Sequence, residues 1–212
     1  MIKAVFFDWS GTLCDDQTNV STSIGKLSIP PHLFRSLPYT RVFSFLRYIV
    51  TIFPLNTKFF YLKISHPANI NYSLFPQTKK ILQFLKDKKI HIGIISLQSS
   101  IIIRKELENT GIAQYIDILE GGMHHKGALI SRHIKQLHLA KHEALFITDL
   151  ANDIKEVHGR SIIGAAMWGY NTKENLIKSK PDFFLKDLNE LKIFIDLKNN
   201  LMPPKLAKSR NS

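Results

Sequence analysis

The stretch FFDWSGTLCDD, residues 6–16, joins an apolar run to an aspartate and a glycine-containing turn. Asp8 ends the apolar run, and Gly11 and Thr12 follow it three and four positions later. An apolar run that stops at an acid and a turn is typical of a buried strand followed by a loop. The stretch therefore predicts a strand that carries Asp8 to the edge of a sheet.

Further short apolar runs follow, and stretches with helical spacing separate them from residue 76 onward. The predicted strands are IKAVFF (2–7), HIGIIS (91–96), YIDIL (115–119), ALFIT (144–148), SIIGAAM (161–167) and DFFL (182–185). PQTKKILQFLKDKK (76–89) places Ile81, Leu82, Phe84 and Leu85 on one helix side, and IIIRKELENTG ends at Gly111, as helices often do. Strands that alternate with helices predict a parallel sheet covered on both faces.

The first and second strands are too far apart in sequence for a single crossover connection. We therefore predict an α/β core domain of residues 1–16 and 74–200, with a cap domain inserted at 17–73. Prolines cut this insertion into short pieces, which we expect to be mostly helical, and VFSFLRYIVTIF (42–53) is expected to be a buried helix. The basic tail, 201–212, is expected to be disordered.

The charge of the chain is unevenly distributed. Its formal net charge is +12, and no Asp or Glu occurs from Gln17 to Lys86, whereas nine Lys and Arg residues do. This positive segment favours an anionic partner: a phosphorylated metabolite, a nucleic acid or a membrane surface. The single cysteine, Cys14, excludes an internal disulfide and a thiolate zinc cluster, which fits a reducing compartment.

Two apolar stretches are candidate targeting or membrane segments. Asp8 interrupts the apolar N-terminus too early for a signal peptide. The 42–53 stretch has 12 residues, with Arg47 among them, whereas about 20 apolar residues are needed to cross a bilayer. We therefore expect a cytoplasmic protein with no membrane span.

Polar residues follow several predicted strands at the same edge of the sheet. Asp8, Ser96 and Asp149 each end a strand, Asp153 comes four residues after Asp149, and Lys126 follows the third strand. In an open parallel sheet the ligand crevice lies beyond the carboxyl ends of the strands, so these groups could converge. Carboxylates with one ammonium and one hydroxyl suit Mg²⁺ and a phosphoryl group.

Each of these residues also has a purely structural interpretation. Asp8 could be a turn residue, Asp153 a helix-surface acid, Ser96 a helix cap and Lys126 a solvated lysine. Four histidines are further candidates: His124 and His125 for substrate contact, and His138 and His142 for a metal pair at helical spacing. No third ligand accompanies His138 and His142, so we expect them on the surface, and we expect the His124–His125 pair to be incidental.

The motifs, taken in order, resemble those of the haloacid dehalogenase superfamily. D-x-x-G-T-L follows a first strand, a Ser follows a second, a Lys comes next, and D-x-x-x-D follows a further strand. The segments 74–100 and 146–191 are similar in register to phosphoglycolate-phosphatase-like members with an inserted helical cap. The resemblance implies a Rossmann-like, doubly wound parallel sheet and a Mg²⁺-dependent phosphatase that acts on a small phosphorylated metabolite.

The resemblance also implies a role for each motif residue. Asp8 would be the nucleophile that becomes an aspartyl phosphate. Mg²⁺ would be held by Asp8, by the main-chain carbonyl of Ser10 and by Asp149.

The remaining motif residues would act on the phosphoryl group. Ser96 and Thr12 would donate hydrogen bonds to it, Lys126 would neutralise charge on it and on the nucleophile, and Asp153 would orient Lys126 or a metal-bound water.

Ser10 departs from the family pattern, in which a second aspartate usually serves as general acid and base. A serine hydroxyl has no pKa near neutrality, and this step is worth roughly 10²- to 10⁴-fold in rate. Three interpretations stay open: a substrate whose leaving group needs little protonation, a replacement acid such as Asp15, Asp16 or a cap residue, or phosphate binding with little or no turnover.

Three other functions are alternatives to phosphatase activity. Dehalogenation fits less well, because dehalogenases of the family dispense with Mg²⁺ and have a tyrosine at the position of Ser10. Phosphonate hydrolysis shares a start like DWSGT but needs a cap lysine, for which Lys26, Lys58 and Lys63 are candidates. A protein that binds nucleic acid through its basic cap, with the core as a scaffold, is the non-enzymatic alternative.

Overall fold

A computed structural model describes residues 1–16, 73–122 and 125–200. Its strands are β1 Ala4–Phe7, β2 Cys14–Asp15, β3 Ser73–Leu74, β4 His91–Ile95, β5 Ile118–Glu120, β6 Ala144–Thr148, β7 Ile162–Ala166 and β8 Phe183–Leu185. Its helices are α1 Thr78–Asp87, α2 Ser100–Asn109, α3 Lys126–Gln136, α4 Ala151–Val157, α5 Lys173–Ser179 and α6 Leu188–Asn200. Short 3₁₀ helices span Ala113–Tyr115 and Lys141–Glu143.

Six of the strands form one parallel sheet in the order β5-β4-β1-β6-β7-β8. The chain builds one half of the sheet outward from β1 through β4 to β5, and then returns to β6 on the other side of β1. This is the strand order of the dinucleotide-binding fold, in which ligands bind where the direction of building reverses. The reversal point lies between β1 and β6.

The sheet is covered on both faces because successive side chains of each strand point to opposite sides. Val5 and Phe7 of β1 belong to one core, with apolar residues of α1, α2 and α6. Ala4 and Phe6 belong to a second core, with apolar residues of α3, α4 and α5. All four β1 residues are completely buried, so the predictions of a buried first strand and of a doubly wound parallel sheet are confirmed.

The two helices predicted from spacing are also present. In α1, Ile81, Leu82 and Leu85 are buried, and the half-buried Phe84 packs against the same core. Helix α2 ends at Asn109, and Gly111 adopts a φ of +66°, a left-handed conformation that glycine accepts without steric cost.

The segments on either side of the predicted insertion meet in a small antiparallel ribbon. Strand β2 pairs with β3, with Cys14 opposite Leu74 and Asp15 opposite Ser73. The predicted cap, apart from Ser73, lies outside the described residues, as do the expected helix at 42–53 and the tail at 201–212. Within the described ranges, no helix is long and apolar enough to cross a bilayer.

Candidate active site

Asp8 lies immediately beyond β1, at the reversal point of the sheet, and its side chain is buried. Its main-chain N–H donates to the carbonyl of Ile147 in the neighbouring strand β6 at 2.9 Å. Its Oδ1 accepts from the Trp9 N–H at 2.8 Å, and its Oδ2 lies 2.8 Å from the ammonium of Lys126. These contacts show that Asp8 is not a solvated turn residue.

Burial disfavours the charged form of Asp8 and raises its pKa to about 6. The positive charge of Lys126 opposes this rise, and the negative charge of Asp153 adds to it. Lys126 is therefore the strongest of the groups that favour the ionised form of Asp8, and the hydrogen bond from the Trp9 N–H acts in the same direction.

Asp149 follows β6 directly, so it sits beside Asp8 at the reversal point, and it is completely buried. The Thr12 hydroxyl donates to its Oδ1 at 3.0 Å, and the main-chain N–H of Tyr170 donates to its Oδ2 at 2.6 Å. Burial raises the pKa of Asp149 to about 8, with the charge of Asp8 as the next largest cause. Two acids that the sequence separates by 141 positions thus face each other closely enough to repel when both are ionised.

Two glycines allow the backbone to approach Asp149. A Cβ on Gly169 would lie 2.2 Å from the Cβ of Asp149, and a Cβ on Gly11, whose φ is +74°, would lie 2.4 Å from its Oδ2. Both distances are shorter than atoms tolerate, so any larger residue would displace the carboxylate. The loops after β1 and β7 therefore pack directly against Asp149.

Lys126, the first residue of α3, is 1% exposed. Its Nζ lies 2.8 Å from Asp8 Oδ2 and 2.5 Å from Asp153 Oδ2, and Asp153 is itself buried. Burial alone would lower the pKa of Lys126, but the charges of Asp153 and Asp8 and their hydrogen bonds outweigh burial and raise it above its usual value. The interpretations of Lys126 as a solvated lysine and of Asp153 as a surface acid are wrong.

Ser96 comes directly after β4, next to β1, and is 2% exposed. Its hydroxyl oxygen accepts from the main-chain N–H of Gln98 at 3.2 Å. The residue that precedes helix α2 is Ser99, so Ser96 shapes the loop after the strand and does not cap the helix. Ser96 thus lies at the same sheet edge as Asp8 and Asp149.

Ser10 is partly exposed, and its hydroxyl donates to Gln98 Oε1 at 3.2 Å. The alternative acceptor for the single proton of this hydroxyl is the carboxyl group of Asp16, which is buried and accepts a hydrogen bond of 2.5 Å from the Tyr170 hydroxyl. Burial raises the pKa of Asp16, and the hydrogen bonds from Tyr170 and Ser10 lower it in part. A second carboxyl group therefore stands next to the serine that replaces the usual acid.

The structure brings all seven candidate residues into contacting groups. Asp8, Lys126 and Asp153 form one group, Thr12 and Asp149 a second, and Ser10 and Ser96 a third, which Gln98 links and Asp16 joins. The Thr12 hydroxyl, which was expected to contact the phosphoryl group, donates in this structure to Asp149, the carboxylate expected to bind the metal.

Three contributing residues were not found from the sequence: Thr148, Gln98 and Tyr170. Gln98 and Thr148 lie close to the motif residues Ser96 and Asp149, which is a signal that could have drawn attention to them. Tyr170 follows Gly169 in the loop after β7, and an isolated glycine can mark a close approach of the backbone.

Of the four candidate histidines, the three that the structure describes take no part in the contacts of this site. His125, His138 and His142 are exposed, so the expected surface placement of the latter two is confirmed, while His124 lies outside the described residues. In the described part of the chain, no three His, Cys, Asp or Glu side chains form a group that could hold a metal ion. The magnesium ligands predicted from the sequence are two carboxylates and a main-chain carbonyl, so they are not a group of three such side chains.

The fold and this cluster define a class of protein: a doubly wound α/β protein with two buried aspartates and a paired lysine at the reversal point of its sheet. Residues 5–162 match a family model described as haloacid dehalogenase-like hydrolase. The match covers more than half of the chain, and the protein belongs to this family.

Curated relatives indicate which members of the family the chain resembles. The chain is 32% identical over 126 residues to the phosphoglycolate phosphatase of Yersinia pseudotuberculosis and 30% identical over 125 residues to that of Photorhabdus laumondii. Each alignment covers 56% of this chain and 53% of the relative, so the chain matches about half the length of these proteins. The resemblance to phosphoglycolate-phosphatase-like members is confirmed.

Solved structures agree on the fold. A putative haloacid dehalogenase-like hydrolase from Bacteroides fragilis superposes with a TM-score of 0.73 at 24% identity, covering 90% of this chain and all of its own. A predicted phosphatase from Clostridium acetobutylicum gives a TM-score of 0.73 at 20% identity, covering 94% of this chain and all of its own. At these identities the likeness concerns the fold alone.

Proposed function

We propose that the protein is a Mg²⁺-dependent phosphatase that acts on a small phosphorylated metabolite through an aspartyl phosphate on Asp8. The observation that carries this proposal is the convergence of Asp8, Lys126 and Asp149 at the reversal point of the sheet. The curated phosphoglycolate phosphatases support the reaction class, and the positive charge of the chain supports an anionic substrate.

The residues present fit a magnesium ion. Mg²⁺ prefers oxygen ligands and is often held by only one or two carboxylates, with substrate phosphate oxygens and water in its other positions. Asp8 and Asp149 are such a pair, and their mutual repulsion is what a divalent cation would offset. Asp8, Asp149 and the main-chain carbonyl of Ser10 would hold the ion, which would supply Lewis-acid stabilisation of phosphoryl charge.

The side chains of the site divide the reaction between them. An Asp8 carboxylate oxygen forms a bond to phosphorus, and the bond from phosphorus to the leaving oxygen breaks with its electron pair on that oxygen. Lys126 keeps Asp8 ionised and offsets charge on the phosphoryl oxygens, while Asp153 holds Lys126 in place. Ser96 donates to a phosphoryl oxygen from the neighbouring strand end. Water then attacks phosphorus and releases Asp8.

Both steps move a proton that Ser10 cannot supply or accept near neutral pH. Asp16, which hydrogen-bonds to the Ser10 hydroxyl, is the described carboxyl group placed to substitute for the missing aspartate. Asp16→Asn keeps the shape of the side chain and removes this capacity. If Asp16 substitutes, the variant loses activity most on alkyl phosphates, whose leaving oxygens most need a proton.

A substrate panel tests the proposed function directly. Release of product from p-nitrophenyl phosphate, phosphoglycolate, acetyl phosphate, nucleotides and phosphonoacetaldehyde is measured with Mg²⁺ and with EDTA. We expect phosphate release that requires Mg²⁺ and disappears in Asp8→Asn. Full activity in EDTA, or in Asp8→Asn, would contradict the proposal, and cleavage of phosphonoacetaldehyde alone would favour the phosphonate alternative.

Ser10 also favours a second candidate, a haloacid dehalogenase-like protein that binds phosphate with little or no turnover. It predicts saturable binding of orthophosphate by calorimetry with no product from any substrate on the panel. A nucleic-acid-binding form of this candidate predicts binding that weakens steeply as salt rises.

A further inference from the structure

Thr148 is the last residue of β6, and it lies between the apolar core and the candidate site. Its side chain is completely buried. Its hydroxyl donates to Asp153 Oδ2 at 3.1 Å and accepts from the main-chain N–H of Leu150 at 3.2 Å. The hydroxyl thus has a charged acceptor on one side and a backbone donor on the other.

The oxygen that accepts the hydrogen bond from Thr148 also contacts a residue of the candidate site. Asp153 Oδ2 takes the Thr148 hydrogen bond and is also 2.5 Å from the Lys126 ammonium. Lys126 in turn lies 2.8 Å from Asp8 Oδ2. The contacts therefore run without a break from Thr148 through Asp153 and Lys126 to Asp8, among side chains that are all buried.

A carboxylate that holds only Lys126 could rotate about its terminal torsion, which is broad for Asp. The Thr148 hydroxyl restricts that rotation by fixing one oxygen. Its second bond restrains the turn that carries Asp149 and leads into α4, where Leu150 precedes the helix without a side-chain cap. Thr148 is thus anchored to the backbone while it orients Asp153.

We propose that Thr148 is a positioning residue that holds Asp153 so that the Lys126 ammonium faces Asp8. The inference rests on the proposed function for its catalytic consequence. The part of the inference that concerns the position of Lys126 does not depend on the proposed function.

Two substitutions isolate the hydroxyl. Thr148→Val keeps the shape and removes the hydroxyl, whereas Thr148→Ser keeps the hydroxyl. We expect Thr148→Val to lower kcat by about 10- to 100-fold, because small misplacements of a catalytic group cost that much, with KM changed less than threefold. We expect Thr148→Ser to retain kcat within about threefold of the original.

Thr110→Val is the matched control. The Thr110 hydroxyl donates to the carbonyl of Glu106 at 2.6 Å at the end of α2 that lies away from Ser96. This variant also loses a threonine hydroxyl that donates a hydrogen bond, but this hydroxyl is half-buried and has no link to Lys126, so kcat should stay within twofold. An equal fall of kcat in Thr110→Val and Thr148→Val would overturn the inference.

A crystal structure of Thr148→Val provides a readout that does not depend on activity. We expect the separation of Lys126 Nζ from Asp8 Oδ2 to exceed its present 2.8 Å. An unchanged geometry of Lys126 and Asp153 would overturn the inference. If Thr148→Val does not fold, Thr148→Ala and Thr148→Ser, which differ only by the hydroxyl, are compared in the same way.

A failure of the proposed function is recognised separately, because the unsubstituted protein would then be inactive on every phosphate ester. The crystal structures would still decide whether Thr148 positions Lys126.

Discussion

Replacing Lys126 by Met removes the positive charge from the group formed by Lys126, Asp8 and Asp153. The shape of the side chain stays nearly unchanged. The ammonium is 1% exposed and is the counter-charge of two carboxylates, Asp8 at 2.8 Å and Asp153 at 2.5 Å. Removing one partner of a buried ion pair costs about 3–5 kcal/mol because the other partner is left uncompensated. We expect Lys126→Met to lower the free energy of unfolding by that amount at pH 8.

The penalty should depend on pH in a defined direction. Asp8 has a pKa of about 6 in the folded protein, and loss of Lys126 removes the main influence that lowers it. If the pKa of Asp8 rises above 8 in the variant, folded Asp8 keeps a proton between pH 6 and 8 that the original protein releases. A raised carboxyl pKa means that stability is lost as pH rises, here by about 1.4 kcal/mol per pH unit, or about 2.7 kcal/mol in all.

Urea unfolding in EDTA measures this penalty, since no bound cation can then replace the lost charge. The penalty at pH 8 should exceed that at pH 5.5 by about 2–3 kcal/mol. Lys135→Met is the control on the same helix, where an exposed lysine should change stability by less than about 0.5 kcal/mol. A penalty that is equal at the two pH values, or absent at pH 8, would refute the electrostatic reasoning.

Three further predictions concern neighbouring residues. Ser10→Asp should speed hydrolysis of phosphoglycolate-like alkyl phosphates by about tenfold or more and that of aryl phosphates less, provided calorimetry shows intact Mg²⁺ binding; no gain on any substrate would mean that the proton already has another source. Asp149→Ala should reduce Mg²⁺ affinity measured by calorimetry and abolish turnover, and unchanged affinity would remove Asp149 from the ligand set. Gly169→Ala should displace the Asp149 carboxylate, because a Cβ would lie 2.2 Å from its Cβ, and it should lower both activity and melting temperature; a variant indistinguishable from the original would refute the tight fit.

The sheet could be predicted from the sequence because its strands are buried runs of apolar residues. The run at 144–148 matches β6 residue for residue. The run at 115–119 matches poorly, since β5 begins only at Ile118 and a 3₁₀ helix occupies Ala113–Tyr115. Asp117 explains the late start in part, because its carboxylate accepts from the Ile92 N–H at 2.8 Å, a contact that no local pattern reveals.

The candidate site was predictable where its residues follow strands, as Asp8 and Asp149 do. The burial of Lys126 was not, because lysine is rarely buried unless it is paired, and its partners lie 118 and 27 positions away. The hydrogen bonds of Thr148 and Tyr170 depend on loops that meet only after folding. Residue type gave no indication of these contacts, although Thr148 lies next to the motif residue Asp149.

The β2–β3 ribbon holds together the two points of the core between which residues 17–72 run. Opposite residues of an antiparallel pair lie about 5 Å apart, so the chain leaves and re-enters the core at adjacent points. Closing a flexible loop costs little more when the loop is long, and a sevenfold difference in length adds only about 1.7 kcal/mol. The sequence between residues 17 and 72 can therefore change in length without separating the segments that flank it. Grafting the equivalent segment of a relative between Asp16 and Ser73 would test whether this part of the chain sets substrate choice.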